Sequence, residues 1–278
     1  MGSIPPCVTV DPQKDRQRTK APMQLPIRER FMKIALFIPC LVNQMMPHVG
    51  IATVELLEKL GHQVILPKGQ TCCGQPMTNS GCFDEAKKTT LKLLNAFKGV
   101  ECDAIVCPAA SCLVAAKENF HEFDTSPEAQ AVIDKLYELT EFLHDVAPIK
   151  AFNKPFNHKI SLQLSCHGIR MLDLATPSEQ MGPRTNKVEA VLKDIPSIEI
   201  VYPGRYDECC GFGGTFAVDE GAVSAKMGKD KAQAHAETGA KYAVGFDPSC
   251  LLHLDGMMRR QKLPIETLHI AQVINAAL

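Results

Sequence analysis

The chain has 278 residues, 45% of them hydrophobic and 22% charged, a composition typical of a soluble globular protein. Thirty Lys and Arg against 31 Asp and Glu give a net charge of -1 at pH 7, so no basic excess is available for binding nucleic acid. The longest apolar runs, such as residues 34–41, are about half the roughly 20 residues that a membrane helix requires, and no signal peptide opens the chain. We therefore expect a cytoplasmic protein with neither nucleic-acid binding nor direct membrane insertion.

Cysteine is the unusual component of the composition. Twelve of the 278 residues are Cys, well below the roughly 8–10% that marks a disulfide-stapled secreted domain. Two pairs are adjacent, Cys72 with Cys73 and Cys209 with Cys210, and neighbouring cysteines form only a strained disulfide ring. Metal ligation by reduced thiols is the favoured interpretation.

Residues 1–31 are predicted to form a flexible N-terminal extension. They carry five prolines and scattered charges without apolar periodicity. Cys7 lies within this segment and is interpreted as a thiol without a functional role. Folded structure is expected from residue 32 onward.

From that point the sequence repeats itself, which predicts a first domain at residues 32–153 and a second at residues 154–278. Pro148 and Pro155 lie on either side of this boundary, as is typical of loops between domains. Three blocks recur in the same order in both halves: residues 33–40 with 159–166, residues 71–74 with 208–211, and residues 104–113 with 242–251.

Strand and helix patterns alternate within each half. Strands are predicted at residues 34–38, 64–66, 104–106, 160–164, 198–201 and 242–246, and helices at residues 49–60, 84–97, 187–192 and 222–237. Such alternation is typical of parallel sheets. The predicted fold class is therefore α/β, with two pseudo-repeated domains that each hold a small parallel sheet flanked by helices.

Eight of the cysteines follow predicted strands. Because the carboxyl ends of parallel strands meet at one edge of a sheet, these thiols are expected to converge there, four in each half. The predicted metal ligands are Cys40, Cys72, Cys73 and Cys112 in the first half, and Cys166, Cys209, Cys210 and Cys250 in the second. The pattern thus predicts two metal sites.

Glycines follow both cysteine pairs. Gly74 succeeds the first pair, and Gly211, Gly213 and Gly214 succeed the second. Glycine permits tight turns and close approach of backbone N–H groups to a ligand, so these four are predicted to contribute to cofactor binding.

The order Cys, then Cys-Cys-Gly, then Cys, with gaps of thirty to forty residues, occurs twice. It resembles the CCG cysteine-rich domain shared by a heterodisulfide reductase subunit and the iron–sulfur subunit of glycolate oxidase. Residues 37–42, 71–81 and 208–216 are more specifically similar to the lactate utilization A family. The resemblance covers about residues 32–278.

This resemblance implies an iron–sulfur electron-transfer subunit of an L-lactate oxidation complex, itself non-catalytic or co-catalytic. The implied partners are a ferredoxin-type iron–sulfur protein and a third subunit, and the implied cofactors are up to two [4Fe-4S] clusters. In heterodisulfide reductase relatives each half ends in Cys-x-x-Cys, whereas Ala109 and Asp247 occupy the first position of that pair here. Four thiols per half suit an ordinary cubane cluster.

Several alternatives remain open at this stage. The same thiols could hold zinc in a scaffold subunit, or the chain could serve a glycolate oxidase or a heterodisulfide reductase-like complex. Cys82 and Cys102 are interpreted as packing residues, and Cys107 as a structural thiol that could substitute as a ligand. His167 and His253 adjoin predicted ligands and are interpreted as neighbours, and Asp247 as a turn residue.

Overall fold

The computed structural model describes residues 31–278, and residues 1–30 of the predicted N-terminal extension, with Cys7, lie outside the described residues. The described residues form two four-stranded sheets with helices between successive strands. Within residues 31–278, no helix combines the length and the apolar character needed to cross a membrane.

The first half begins with a buried strand and alternates thereafter. Its elements are β1 (Lys33–Leu36), α1 (Cys40–Met45), α2 (Pro47–Lys59), β2 (Gln63–Ile65), α3 (Gln75–Asn79), α4 (Phe83–Phe97), β3 (Ala104–Cys107), α5 (Ala110–Phe123), α6 (Pro127–Ile133), β4 (Leu136–Glu138) and α7 (Leu139–Asp145). Helix α2 begins with Pro47, whose fixed φ suits the first helical position, and Gly61 follows its end with a positive φ of 85°.

The second half follows the same plan. Its elements are β5 (Lys159–Gln163), α8 (Cys166–Met171), α9 (Lys187–Leu192), β6 (Glu199–Val201), α10 (Phe216–Asp219), α11 (Gly221–Ala236), β7 (Tyr242–Gly245), α12 (Pro248–Gln261), β8 (Glu266–His269) and α13 (Ile270–Ala277). Every strand and helix predicted from the sequence is present, with ends shifted by at most two residues.

Both sheets are entirely parallel and share one strand order. The first runs β2-β1-β3-β4 and the second runs β6-β5-β7-β8. Ile34 of β1 lies opposite Val64 and Ala104, and Ile160 of β5 occupies the equivalent central position in the second sheet. The predicted α/β class with two pseudo-repeated domains is confirmed. The outer strands β4 and β8 were not predicted, because their short mixed sequences, Leu-Tyr-Glu and Glu-Thr-Leu-His, show no continuous apolar run.

The two halves share a hydrophobic core that contains residues of both sheets. Helix α13 of the second half packs on α2 of the first half, and α7 of the first half packs on α9 of the second. The two contacts are equivalent under the internal repeat. Lys59 Nζ donates to the carbonyl of Asn275 at 2.8 Å, and the Asn275 amide donates to Glu55 at 2.6 Å. The predicted boundary at residues 153 and 154 lies between α7 and β5, and it stays a prediction because the core continues across it.

Helices α7 and α13 begin at buried polar residues that end the outer strands. Glu138 Oε2 accepts hydrogen bonds from the backbone N–H of Thr140 at 2.6 Å and of Glu141 at 3.2 Å, and Oε1 has no partner among the described residues. His269 Nδ1 caps α13 in the same way, accepting from the N–H of Ala271 at 3.1 Å. Complete burial raises the pKa of Glu138 to about 8.

Because this pKa is raised, folded Glu138 holds a proton that the unfolded chain releases above a pKa of about 4.5. Its contribution to stability is full below pH 4.5 and is lost as pH rises toward 8. Replacing Glu138 with Gln keeps the capping oxygen and removes the titration. The free energy of unfolding should be measured by urea denaturation for Glu138→Gln and for the unmodified chain at pH 5 and at pH 8. Between these two pH values the difference should shift in favour of the variant by roughly 2–4 kcal/mol. A pH-independent difference would contradict the assignment.

Gly168 lies in α8 against the end of β7. A Cβ atom at this position would stand 2.2 Å from Cε2 of Phe246, whose side chain is fully buried. Close packing of α8 here fixes the helix that begins at Cys166.

We expect Gly168→Ala to destabilise the fold by roughly 1–3 kcal/mol, because the added methyl must displace a buried ring. Gly256→Ala is the matched control, since it is also a helical glycine and its Cβ would meet nothing within 4 Å. The control should stabilise by about 0.5–1 kcal/mol, as Ala replaces Gly in a helix. Urea unfolding measures the change in the free energy of unfolding for both variants. Equal changes would show that a side chain at residue 168 does not disturb the packing of Phe246.

Candidate metal centres

The first half brings four thiols together at the carboxyl edge of its sheet. Cys40 is the first residue of α1, Cys72 and Cys73 lie in the loop between β2 and α3, and Cys112 lies in the first turn of α5. The four thiols form a chain of hydrogen bonds, which joins Cys40 to Cys72, Cys72 to Cys73, and Cys73 to Cys112. We call these four residues the first quartet. Cys73 is buried, whereas Cys40 is exposed.

The second half brings together the equivalent four thiols. Cys166 begins α8, Cys209 and Cys210 lie in the loop between β6 and α10, and Cys250 lies in the first turn of α12. The same chain of interactions recurs, and the Cys210 and Cys250 Sγ atoms are 2.9 Å apart. These four residues are the second quartet. Each predicted set of ligands is therefore assembled from three loops that are distant in sequence.

One thiol in each quartet is the favoured site of negative charge. Hydrogen bonds from the Cys40 and Cys73 thiols, and from the backbone N–H groups of Gly74 and Cys73, hold the pKa of Cys72 well below its usual range. The pKa of Cys209 is lowered in the same manner by its neighbouring thiols. The pKa of Cys40 is raised mainly because its thiol donates to Cys72. All four thiolates can form together only beside positive charge, which a bound metal provides.

The glycine after each cysteine pair allows the loop to approach a helix closely. Gly74 and Gly211 both have φ of 90°, and a Cβ would stand 2.4 Å from Thr90 Oγ1 in the first case and 2.7 Å from Met227 Cβ in the second. The Gly211 N–H donates to Cys209 Sγ at 3.4 Å. Gly213 and Gly214 also have positive φ and precede α10.

The first quartet opens into a cavity of about 290 Å³ that both halves enclose. All four thiols of the first quartet line it. Its opposite wall comes from the second half, where Phe212, Gly214, Thr215, Val218 and residues 247–249 face the thiols. Sequence reasoning missed this contribution, because the repeat pattern assigns each loop to its own half and carries no signal for contacts between halves.

The remaining polar candidates have structural partners. Asp247 caps α12 by accepting from the N–H of Ser249 at 3.1 Å, and its other oxygen accepts from the N–H of Ser111 at 2.8 Å. His167 Nδ1 lies 3.7 Å from Cys166 Sγ, and His253 Nε2 lies 3.3 Å from the carbonyl of Ser224. Asp247 thus serves as a turn residue, and it also joins the two halves.

The three other cysteines of the described chain lie outside both quartets. Cys107 ends β3 with no exposure, and its thiol donates to the carbonyl of Ala109 at 3.5 Å. Cys102 is buried in the first-half core, and Cys82 is exposed beside α4. Burial raises the pKa of both Cys107 and Cys102.

The donor set of each quartet suits iron or zinc, since both metals favour thiolate sulfur. As the side chains stand, no group of three or more Cys, His, Asp or Glu residues within residues 31–278 is arranged to hold a metal ion. The thiols instead contact one another, and the 2.9 Å between Cys210 and Cys250 is shorter than the roughly 3.8 Å that separates two thiolates on tetrahedral zinc. Binding at the second quartet therefore requires the Cys210 and Cys250 sulfur atoms to move apart.

A solved structure from Helicobacter pylori, described as a hypothetical protein, resembles the fold. It aligns with a TM-score of 0.61 over 88% of this chain and 48% of that longer chain, at 12% identity. At this identity the likeness extends to the fold alone.

Sequence relatives are more similar. Lactate utilization protein A of Bacillus licheniformis is 38% identical over 88% of this chain and 100% of its own length. The protein of the same name from Bacillus subtilis is 37% identical with the same coverage. The cysteine-rich domain family CCG matches residues 34–117 and 160–255, which contain both quartets. The chain therefore belongs to the CCG cysteine-rich domain family and, within it, to the family of lactate utilization protein A.

Proposed function

We propose that this protein acts in lactate utilization as an iron–sulfur electron-transfer subunit of an L-lactate oxidation complex. The observation that carries the proposal is the convergence of two thiol quartets at the carboxyl edges of two parallel sheets. The role in lactate utilization is supported by relatives of that name over their full length. These relatives also favour lactate over glycolate or a heterodisulfide as the substrate of the complex.

Iron–sulfur ligation is favoured over zinc for two reasons. Structural zinc sites draw their ligands from short Cys-x-x-Cys segments, whereas each quartet here is gathered from three distant loops. The cavity of about 290 Å³ beside the first quartet is also larger than a single ion needs. We infer up to two [4Fe-4S] clusters, one held by each quartet.

The residues of this chain would have distinct tasks in that role. The eight cysteines supply thiolates, and backbone N–H groups such as that of Gly211 donate to sulfur and offset its negative charge. Phe212 and Val218 line the cavity beside the first quartet. Bound clusters would supply one-electron redox chemistry at each quartet.

Oxidation of lactate to pyruvate releases two electrons and two protons, so two one-electron sites in one chain match the electron count. The chain's part is to accept these electrons and pass them to a partner, which we infer to be a ferredoxin-type iron–sulfur protein working with a third subunit in the cytoplasm. In this scheme the chain is co-catalytic.

A zinc-stabilised scaffold is the second candidate, because four thiols also satisfy tetrahedral zinc. Anaerobic purification followed by assays of iron, acid-labile sulfide and zinc separates the two. The proposal predicts iron and sulfide in equal amounts, up to eight of each per chain, with visible absorption that bleaches on reduction. Zinc without sulfide would establish the scaffold instead.

Single ligand replacements test whether each quartet holds its own cluster. Cys73→Ser and Cys210→Ser should each remove about half of the iron and sulfide, because each removes a buried thiol from one quartet only. Cys82→Ser is the matched control, since that thiol is exposed and outside both quartets, and it should leave the iron content unchanged. Loss of all iron in either ligand variant would contradict independent sites.

A further inference from the structure

The loop that carries the first cysteine pair begins where a proline ends the pairing of β1 with β2. The two strands are parallel, with Ala35 opposite Ile65. If this register continued, residue 67 would lie opposite Phe37, and its N–H would donate to the carbonyl of Leu36. Residue 67 is Pro, which has no N–H, so the backbone cannot form this hydrogen bond.

The side chain of Gln70 makes the hydrogen bonds that the backbone cannot. Its amide nitrogen donates to the carbonyl of Leu36 at 2.9 Å, and its amide oxygen accepts from the N–H of Ile38 at 2.9 Å. These are the two groups of β1 that a peptide at residue 67 would have bonded. The same nitrogen donates to the carbonyl of Pro67 at 3.1 Å. One primary amide therefore replaces a peptide group and joins the loop to the end of β1.

The end of β1 is also held on its other side. The N–H of Phe37 donates to the carbonyl of Val106 in β3 at 2.9 Å. Successive backbone groups of residues 36–38 thus point alternately toward Gln70 and toward β3. The side chain of Phe37 is fully buried. Gln70 is therefore bonded to a segment that the rest of the sheet and the core hold in place.

Both of the residues joined by this contact lie two positions before a predicted ligand. Cys40 follows Ile38 by two residues, and Cys72 follows Gln70 by two residues. Two residues span at most about 7 Å of extended chain, so the contact limits how far the two cysteines can separate. The Cys40 thiol donates a hydrogen bond to Cys72. The contact between Gln70 and Ile38 thus determines where the cysteine pair lies relative to Cys40.

The second half also ends the equivalent pairing at a proline. Its register places Ser161 opposite Val201, and continuing it would place Pro203 opposite Gln163. The residue two positions before the second cysteine pair, however, is Asp207 rather than Gln. A different set of contacts must therefore hold the second pair.

Asp207 is bonded to helix α8 and to the loop after it. Its Oδ2 accepts from the N–H of Ser178 at 2.6 Å, and its carbonyl accepts from Arg170 Nη1 at 3.2 Å. Arg170 lies one helical turn after Cys166, and its Nε also donates to Glu179 at 2.8 Å. The second pair is thus held through α8 and the first through the end of β1, so the two sets of contacts are independent.

We propose that Gln70 is a positioning residue for the first metal centre, which holds the cysteine pair beside Cys40 by replacing the hydrogen bonds that Pro67 cannot make. Both polar atoms of its amide are occupied by backbone groups, so Gln70 acts through the loop and is not itself a ligand. The inference rests on the proposed function, because it assigns Gln70 a part in holding the first cluster.

The test compares Gln70→Met, which keeps a similar length and forms neither amide hydrogen bond, with Gln63→Met. The control replaces an exposed glutamine of β2 in the same half. Each change is made in full-length, anaerobically purified protein, in a Cys210→Ser background that retains the first quartet and in a Cys73→Ser background that retains the second.

Iron release to a chelator should be about tenfold faster from the first quartet in Gln70→Met, as is common when a group that orients metal ligands is removed. The electron paramagnetic resonance spectrum of the reduced first cluster should change as well. Release from the second quartet and its spectrum should stay the same. Gln63→Met should alter neither the rates nor the spectra.

Hydrogen exchange followed by mass spectrometry supplies a readout that needs no metal. In Gln70→Met the amides of residues 36–40 and 71–74 should exchange faster, and those of residues 208–211 should be unchanged. A general contribution of Gln70 to folding stability would instead speed exchange in both halves alike, because they share a core, and this would overturn the inference.

Unchanged iron release from the first quartet in Gln70→Met would also overturn the inference, as would equal acceleration at both quartets or unchanged exchange at residues 71–74. Failure of the proposed function is a separate outcome. Absence of iron and sulfide from the unmodified protein would refute that function, and hydrogen exchange at residues 71–74 would then decide the role of Gln70 by itself.

Discussion

The candidate chemistry of this protein depends on one constraint of parallel sheets, which is that all strands finish at the same edge. Each sheet has β1 or β5 near its centre, with β2 or β6 on one side and β3 or β7 on the other. The loops that leave these three strands are neighbours in space although thirty or more residues separate them in sequence. A thiol placed after each strand therefore meets the others without any local motif, and the fold itself assembles the quartet.

Bringing four thiols together makes it unfavourable for all of them to be ionised at once, because neighbouring negative charges repel one another. The pKa values of Cys72 and Cys209 are lowered because adjacent thiols and backbone N–H groups donate to them, while the pKa values of the thiols that donate to them are raised. A cationic centre reverses this resistance, since each added thiolate then gains a positive partner. In the second quartet the Cys210 thiol donates to Cys250 Sγ across 2.9 Å. This short contact shows why ligation must be accompanied by rotation of the side chains.

Much of this arrangement could be predicted from the sequence, because apolar patterns indicate the strands and helices and the internal repeat indicates equivalent positions in the two halves. The buried strands read as apolar runs, and the twofold repeat placed equivalent thiols at equivalent strand ends. Several features escaped prediction, among them helices α5 and α12, which carry Cys112 and Cys250. Strands β4 and β8 are short and half polar, so only their pairing with β3 and β7 defines them. The wall that Phe212 and Val218 contribute to the first cavity depends on how the halves pack. Lys231 and His235 lie on a helix of weak amphipathicity, and nothing in the local pattern distinguishes a buried lysine from a solvated one.

The difference between the two halves bears on why the second core is polar. Aligned by their strands, the two halves place Phe37, Leu93 and Phe97 of the first half where the second half has Gln163, Lys231 and His235, and all six residues are buried. A buried lysine loses several kcal/mol of hydration that two carbonyl hydrogen bonds recover only in part, whereas leucine at that position would gain from burial. Folding stability alone therefore favours the apolar set, so the polar set carries a free-energy cost that the first half avoids.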